Sequence, residues 1–236
     1  MMNKTLAVDS RINEKSLEKL LHSGYDIIKI PENRHFDAPI SAHPDIFMTN
    51  ICGKWFIDDA VHDMFTIVED VQTVGRGQAT VEKYKYPDDV FLNCVQVGKY
   101  IVCNKKHTCV DVLNYAEKNG ITIVDVKQGY AKCSICVVCD NAVITEDTGI
   151  AKDLTLKTDL DVLLIEKGHV ELSGYDYGFF GGCCGLIEKN LIAFNGRVEN
   201  HPDFCKIKCF CDKYGVGIVS LSDDNLYDIG TVFRII

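Results

Sequence analysis

The chain has 236 residues, of which 47% are hydrophobic and 25% are charged, so it can bury a substantial core as one domain or as two small ones. Its 25 basic and 34 acidic residues give a formal net charge of -9. Binding to nucleic acid depends on clustered lysine and arginine that neutralise phosphates, so this balance predicts that nucleic acid is not a partner.

No segment indicates secretion or a membrane span. The N-terminal sequence MMNKTLAVDSRINEKSLEKLL lacks the apolar run of a signal peptide, and no other segment approaches the roughly 20 apolar residues of a membrane helix. We therefore expect a cytoplasmic protein without a membrane partner. Its twelve cysteines are then expected to be reduced thiols, because the cytosol keeps thiols reduced.

The first predicted elements are a strand at residues 5–9, a helix at 13–22 and a β-run at 25–30. A β-hairpin follows at 47–58, where β-branched and aromatic residues flank a Gly-Lys turn. These elements suggest a unit of helix, strand, loop and hairpin.

The same order returns along the middle of the chain, with one weak copy. Residues 60–68 form a poor helix pattern, and 71–78 read as a loop. A hairpin is predicted at 91–104, a helix at 110–116 and a strand at 121–126.

The last third repeats the unit again. Hairpins are predicted at 134–146 and 183–195, followed by a helix at 200–211, a strand at 216–221 and a final strand at 229–236. The final strand has no hairpin partner of its own, because the chain ends after it.

The hairpin turns recur at a nearly constant interval of 45, 42 and 49 residues. They are marked by Gly53, Gly98, Asp140 and Lys189. Such a period indicates repeated supersecondary units. The unpartnered final strand is expected to pair with residues 5–9, which would close five units into one ring, a single domain over residues 1–236, and remove exposed sheet edges.

In such a ring the loops that lead into the hairpins meet at the centre. These loops are residues 41–45, 86–89, 129–134, 178–183 and 225–228. They contain His43, Asp45, Lys132 and Asp228, together with thiols, and this mixture suits a polar small-molecule site in which these four side chains bind the substrate. Because Asp, Pro and Gly are also common turn residues, a purely structural role is the alternative.

Two cysteine patterns resemble metal motifs but indicate no metal. Cys133, Cys136 and Cys139 lie three apart in an apolar β-run, where such thiols point to opposite faces of a strand. Cys205 and Cys209 lie one helical turn apart and could meet, but Cys211 in the same helix indicates core packing. We expect neither a metal nor another cofactor.

The segment Lys167-Gly-His-Val-Glu171 follows an apolar strand. With the fivefold repeat, it resembles the pentein superfamily of guanidino-group-modifying enzymes, which includes agmatine deiminases, arginine deiminases and dimethylarginine dimethylaminohydrolases. The resemblance is to an uncharacterised branch and implies a five-bladed α/β propeller. A Gly-His-x-Asp type motif there supplies a general acid/base histidine and a substrate-binding carboxylate, and His169 and Glu171 occupy the matching positions. Residues two apart on a strand share a face, so both can point into one cavity.

The sequence departs from those enzymes at the nucleophile. Their catalytic cysteine lies near the C-terminus, whereas residues 228–234 contain no cysteine. Cys133, beside Lys132, and Cys183, after two glycines, are the candidates for a relocated nucleophile, because a nearby cation or donor lowers the pKa of a thiol. Core packing is the alternative for each buried cysteine.

The resemblance implies a small cationic ligand bound between Asp45, Glu171 and Asp228. Hydrolysis or transfer at the C–N bond of a guanidine, amidine or amide would follow, with His169 transferring protons. The missing C-terminal cysteine favours a second hypothesis, a non-catalytic binding or interaction module like the ribosome anti-association factor of the same superfamily. The oligomeric state is left open.

Overall fold

The computed structural model describes residues 4–76 and 82–236. Its α-helices are α1 (Glu14–His22), α2 (Pro44–Phe47), α3 (Val110–Lys118), α4 (Ala131–Ser134), α5 (Thr148–Lys157) and α6 (Phe204–Lys213). Short 3₁₀ helices lie at Ala38–Ile40, His62–Phe65, Asp88–Val90 and Val198–Asn200. In these two ranges no helix is long and apolar enough to cross a membrane.

The strands form five three-stranded sheets. They are β1 (Lys4–Asp9), β2 (Tyr25–Ile30), β3 (Met48–Ile51), β4 (Lys54–Asp58), β5 (Val71–Val74), β6 (Val95–Val97), β7 (Tyr100–Cys103), β8 (Thr122–Asp125), β9 (Ile135–Cys139), β10 (Ala142–Thr145), β11 (Asp161–Leu164), β12 (Cys184–Glu188), β13 (Leu191–Phe194), β14 (Gly217–Ser220) and β15 (Phe233–Arg234). The four predicted hairpins are confirmed as β3–β4, β6–β7, β9–β10 and β12–β13.

Every sheet has the same pattern. Its first strand pairs antiparallel with the second, and the second pairs parallel with the third. We call the first strands, β3, β6, β9, β12 and β15, the leading strands. Consecutive leading strands contact one another from β3 to β15. The segments just before them are therefore brought close together.

The first and last strands belong to one sheet, in the order β15-β1-β2. Leu6 lies opposite Arg234 and Ala7 lies opposite Phe233 in the antiparallel pair β1–β15. The predicted pairing of the terminal strands is therefore confirmed. It gives β1 a hydrogen-bonded neighbour on both sides, so this buried strand has no unpaired edge.

The second repeat differs from its prediction. Residues 71–74, expected to be part of a loop, form β5, which pairs with β4 from Trp55 to Asp58. A single 3₁₀ turn at His62–Phe65 replaces the crossover helix, which agrees with the poor helix pattern. Residues 77 and 78 of the expected loop lie outside the described residues. Val71, Thr73 and Val74 are β-branched and favour a strand, so the local sequence agrees with this pairing.

The helices bury one face against the sheets. In α1, Asn13 caps the first turn by accepting a hydrogen bond from the Ser16 amide at 2.7 Å, and Leu20 is buried. Helix α5 was not predicted; it begins after Asp147, whose side chain accepts a hydrogen bond from the Ile150 amide at 2.9 Å. Its weak amphipathic pattern explains why periodicity did not reveal it.

Candidate functional site

Asn93 connects two of the loops that the repeat brings together. It lies just before β6, and its side-chain nitrogen is 3.3 Å from the carbonyl oxygen of Asp45 and 3.2 Å from the sulfur of Cys133. Its side-chain oxygen accepts a hydrogen bond from the Lys132 amide at 2.8 Å. Because Asn93 is completely buried, these bonds fix the short helices α2 and α4 relative to each other.

Cys133 and Asp45 make the closest polar contact of this cluster. The Cys133 thiol donates a hydrogen bond to Oδ2 of Asp45 at 2.7 Å. The hydroxyl of Thr231 lies 3.4 Å from the same oxygen and donates to the carbonyl oxygen of Gly181 at 3.0 Å. Asp45, Asn93, Cys133, Gly181 and Thr231 precede the five leading strands in turn, so all five repeats contribute to one buried hydrogen-bonded cluster.

Burial controls the protonation of this pair. It raises the pKa of Asp45 to about 6, although the hydrogen bond from Cys133 and the charge of Lys132 oppose the increase. Burial also raises the pKa of the Cys133 thiol well above its usual range, and the nearby charges of Asp45 and Asp228 add to the effect. At neutral pH the pair is therefore a neutral thiol that donates to a carboxylate.

His43 lies between two buried carboxylates. Its Nδ1 is 3.7 Å from Oδ1 of Asp228, and its Nε2 is 3.9 Å from Oδ2 of Asp9. Burial lowers the pKa of His43 despite these charges, so the ring is neutral at pH 7. Within the described residues Nε2 of His43 has no hydrogen-bond partner.

Asp228 is held by backbone amides. It accepts hydrogen bonds from the amide of Phe179 at 2.8 Å and from the amide of Gly230 at 2.9 Å. Burial raises its pKa, and the nearby charge of Asp45 adds to this effect, while His43 opposes it. Asp228 is 1% exposed, so its negative charge acts on its neighbours with little screening by solvent.

Cys133, His43 and Asp228 line one cavity of about 270 Å³, which we call the aromatic cavity. Its other lining residues are Ile40, Ile46, Tyr130, Leu172, Tyr175, Asp176, Tyr177 and Phe179. Four aromatic rings and two carboxylates therefore surround a space large enough for a small organic molecule.

Tyr130 is fixed at the wall of this cavity. Its hydroxyl donates to Oδ2 of Asp89 at 2.5 Å, and its ring centroid lies 5.9 Å from that of Phe179. The second repeat thus reaches the cavity indirectly, through Asp89. Neither aromatic residue was predicted as a site residue, although both lie in the loops that were expected to converge.

Lys132 lies on the other side of the cluster from Cys133. Its ammonium donates to the Thr231 hydroxyl at 2.9 Å and is 5.4 Å from the ring centroid of Phe233. Lys132 does not line the aromatic cavity but a second pocket on the side of the hairpin turns. The two neighbouring residues of α4 therefore serve different cavities.

The structure does not bring His169, Glu171 or Cys183 to the aromatic cavity. His169 is 3.1 Å from Glu166, and its side chain is 36% exposed. Glu171 is exposed and accepts a hydrogen bond from Asn225 at 2.7 Å. The thiol of Cys183 is completely buried and donates to the carbonyl oxygen of Phe180 at 3.1 Å.

The predicted alternation of His169 and Glu171 on one strand face does not hold. Residues 165–183 contain no regular strand, and Glu171 makes only an isolated bridge to Tyr227. Asn93 and Thr231 are two of the polar residues that sequence reasoning missed, and Asp176 in the cavity wall is another. Asn93 precedes β6 at the place that Cys133 occupies before β9, so alignment of the repeats could have pointed to it.

No three His, Cys, Asp or Glu side chains are grouped to hold a metal ion in residues 4–76 and 82–236. All twelve cysteines are unpaired thiols. Cys133 lies in α4 and Cys136 lies in β9, so the two do not share one strand.

Several solved structures are similar to this chain over most of its length. Dimethylarginine dimethylaminohydrolase from Pseudomonas aeruginosa, complexed with citrulline, is 10% identical, with a TM-score of 0.55 and coverage of 93% of this chain and 92% of that chain. Agmatine deiminase from C. jejuni is 10% identical, with a TM-score of 0.55 and coverage of 93% and 88%. A dimethylarginine dimethylaminohydrolase adduct with 4-chloro-2-hydroxymethylpyridine is 12% identical, with a TM-score of 0.51 and coverage of 93% and 92%.

At these identities the likeness shows the fold alone. None of the curated proteins matches the sequence. One family model, described as "Family of unknown function (DUF6873)", matches residues 7–233. The chain therefore belongs to this family of unknown function, and its α/β fold is similar to that of the dimethylarginine dimethylaminohydrolase and agmatine deiminase structures, the pentein fold that the resemblance predicted.

Proposed function

We propose that the protein binds a small amidine or guanidine cation in the aromatic cavity and hydrolyses its C–N bond with Cys133 as the nucleophile. The observation that carries the proposal is the 2.7 Å hydrogen bond from the Cys133 thiol to Asp45, beside a cavity that His43 and Asp228 also line. A single domain over residues 1–236, with its five sheets arranged as propeller blades around this cluster, is part of the proposal.

The lining of the aromatic cavity supports a cationic ligand. Asp228 and Asp176 supply negative charge, and the faces of aromatic rings attract cations. No Lys or Arg lines this cavity among the described residues. A guanidinium beside the buried Asp228 would gain a charge-assisted hydrogen bond in a site of low dielectric.

Asp45 is suited to transfer the proton of the thiol, because its pKa of about 6 lies near neutral pH. The S–H bond breaks as the proton moves to Asp45, and the sulfur forms a bond to the amidine carbon. The C–N bond then breaks while Asp45 returns the proton to the leaving nitrogen, which departs as ammonia or an amine. These steps leave an S-linked intermediate on Cys133.

His43 is suited to complete the reaction. It is neutral, and its Nε2 has no hydrogen-bond partner among the described residues. It takes a proton from water, which attacks the carbon bound to sulfur. The C–S bond breaks, the proton that His43 holds passes to the sulfur, the second proton of the water is released to solvent as the carbonyl group forms, and the urea or amide product leaves. His169 has no part in these steps, because it does not line the cavity.

The experiment is a screen of agmatine, arginine and benzamidine by thermal shift and by release of ammonia. We expect Cys133→Ser to lower ammonia release by at least about 100-fold, because serine is not activated in its place. Cys183→Ser is the matched control, since this thiol is equally buried but does not line the cavity. If the Cys133→Ser variant still released ammonia at the wild-type rate, Cys133 would be excluded as the nucleophile.

The second candidate function is a non-catalytic binding module. The observation that favours it is the strongly raised pKa of the Cys133 thiol, which keeps the sulfur protonated in the unliganded protein. This function predicts a thermal shift with benzamidine that Asp228→Asn abolishes, and no ammonia release from any variant. The exposed Asp223 provides the control variant Asp223→Asn, which should keep the full shift.

A further inference from the structure

The Lys132 ammonium is a buried cation with few partners. Lys132 is 8% exposed, and among the described residues its ammonium makes one hydrogen bond, to the Thr231 hydroxyl, and one contact with the ring of Phe233. An ammonium has three donors, and this one makes no salt bridge with a carboxylate of the described residues, although its charge acts on the buried Asp45 beyond Thr231. The remaining donors are therefore available to a ligand.

The pocket that Lys132 lines has a volume of about 400 Å³. We call it the turn-side pocket, because the hairpin-turn residue Gly53 borders it, along with residues of the leading strands β9, β12 and β15. Lys132 and Arg234 are its cations, and no Asp or Glu lines it in the described part of the chain. The charged residues that line the turn-side pocket are therefore positive, whereas those that line the aromatic cavity are negative.

Most of the other walls are apolar. Trp55 and Phe233 meet edge to face with their ring centroids 5.9 Å apart, and Leu186 lies in the same pocket. A second pocket of about 560 Å³ also borders Lys132 and contains the exposed Asp140, whose charge is screened by solvent. The apolar walls disfavour a fully hydrated inorganic anion and suit an anion with an apolar body.

We propose that the turn-side pocket is a second ligand site, which binds a small organic monocarboxylate with Lys132 as its counter-ion. The carboxylate accepts hydrogen bonds from the ammonium, and the apolar body of the ligand packs against the wall that Trp55 and Phe233 form together. This site is distinct from the aromatic cavity and requires neither Cys133 nor His43.

Trp55 provides a local readout, since it is the only tryptophan of the chain and lines this pocket. The emission of the full-length protein is titrated with benzoate and with benzamide, which has nearly the same shape but no charge. We expect a saturable change with benzoate, at least tenfold weaker apparent affinity for benzamide, and no displacement of benzoate by equimolar inorganic phosphate.

Lys132→Met should weaken benzoate binding at least tenfold, whereas Lys99→Met, at an exposed lysine, should leave it unchanged. Far-ultraviolet circular dichroism checks that both variants are folded. If Lys132→Met does not fold, nuclear Overhauser contacts between benzoate protons and the Trp55 indole in the wild-type protein decide the question. Equal affinity for benzoate and benzamide, an unchanged affinity in folded Lys132→Met, or the absence of those contacts would overturn the proposal.

Discussion

At the candidate site, one amide side chain holds two functional groups in place. Asn93 is hydrogen-bonded to the backbone of Asp45 and Lys132 and to the sulfur of Cys133. None of these groups can reach solvent for a substitute partner, since all are buried. The geometry of the thiol and carboxylate therefore depends on a residue that takes no part in the proposed chemistry.

Asn93→Ala should lower the free energy of unfolding by about 2 kcal/mol, because it leaves the buried amide of Lys132 without its acceptor. Urea denaturation measures this change. Asn190→Ala, at an exposed hairpin turn, is the control and should change the stability by less than about 0.5 kcal/mol. Equal effects of the two substitutions would contradict the role given to Asn93.

Asp45 should make the stability of the protein depend on pH. Its pKa is about 6 in the folded protein and about 3.9 in an unfolded chain, so the folded state holds this proton more tightly. Its ionisation therefore destabilises the fold: the favourable contribution is fully present below about pH 4 and is lost as the pH rises to about 6. Other groups also titrate in this range, so the contribution of Asp45 is isolated by comparing the wild type with a variant that lacks this carboxylate.

Asp45→Asn removes this titration. The difference in unfolding free energy between Asp45→Asn and the wild type should rise in favour of the variant by about 2 kcal/mol between roughly pH 4.5 and pH 7. Urea denaturation at both pH values gives the difference. Asp159→Asn is the control, because Lys99 holds the pKa of the exposed Asp159 below its usual value. If the difference in unfolding free energy between Asp45→Asn and the wild type were the same at both pH values, the pKa of Asp45 would not be raised by folding.

The composition of the site was partly predictable from single residues. His43, Asp45, Cys133 and Asp228 follow from their positions just before or within the converging loops, and they do lie together. What could not be predicted is that Lys132 points to the other side from Cys133, because the turn of α4 sets the two directions. The expectation that His169 and Glu171 share a strand face was wrong, because the chain forms no regular strand there.

At the scale of elements, the four hairpins and the crossover helices α1, α3 and α6 were predictable, whereas β5 and α5 were missed. A hairpin is specified by its own turn and by alternating residues, so the four hairpins could be located from local sequence. Strand β5 has three β-branched residues, Val71, Thr73 and Val74, which favour a strand, but it is short and has no hairpin turn of its own. Helix α5 has a weak amphipathic pattern, which gives little periodic signal.

The close packing of leading strands leads to a prediction about two glycines of one sheet. A Cβ atom on Gly185 in β12 would overlap the carbonyl oxygen of Val232, whereas one on Gly217 in β14 would come no closer than 3.4 Å to Leu191. Gly185→Ala should therefore lower the free energy of unfolding by about 2–3 kcal/mol, and Gly217→Ala by less than about 0.5 kcal/mol. Urea denaturation compares them; similar values would mean that β12 and β15 are not in contact.

At the scale of the whole molecule, the repeat made the architecture predictable. Turns at a nearly constant interval imply similar units, and a final strand without a hairpin partner implies a partner at the other end of the sequence. The structure places β1 between β15 and β2, with Leu6, Ala7 and Val8 completely buried. The stability of the whole chain should consequently depend on its first strand.

A variant that lacks residues 1–9 tests this dependence. It loses β1 and with it the acceptor at Thr5 for the amide of Ile235, and it exposes the apolar surface that Leu6 and Val8 cover. At about 2 kcal/mol for each buried aliphatic side chain, the free energy of unfolding should fall by roughly 4 kcal/mol, measured by thermal and urea denaturation. A variant that lacks only residues 1–3 keeps all of β1 and is the control. Since a typical domain is stable by only about 5–15 kcal/mol, such a loss should also lower the melting temperature clearly. Equal melting temperatures for the two truncations would show that the terminal strands do not support each other.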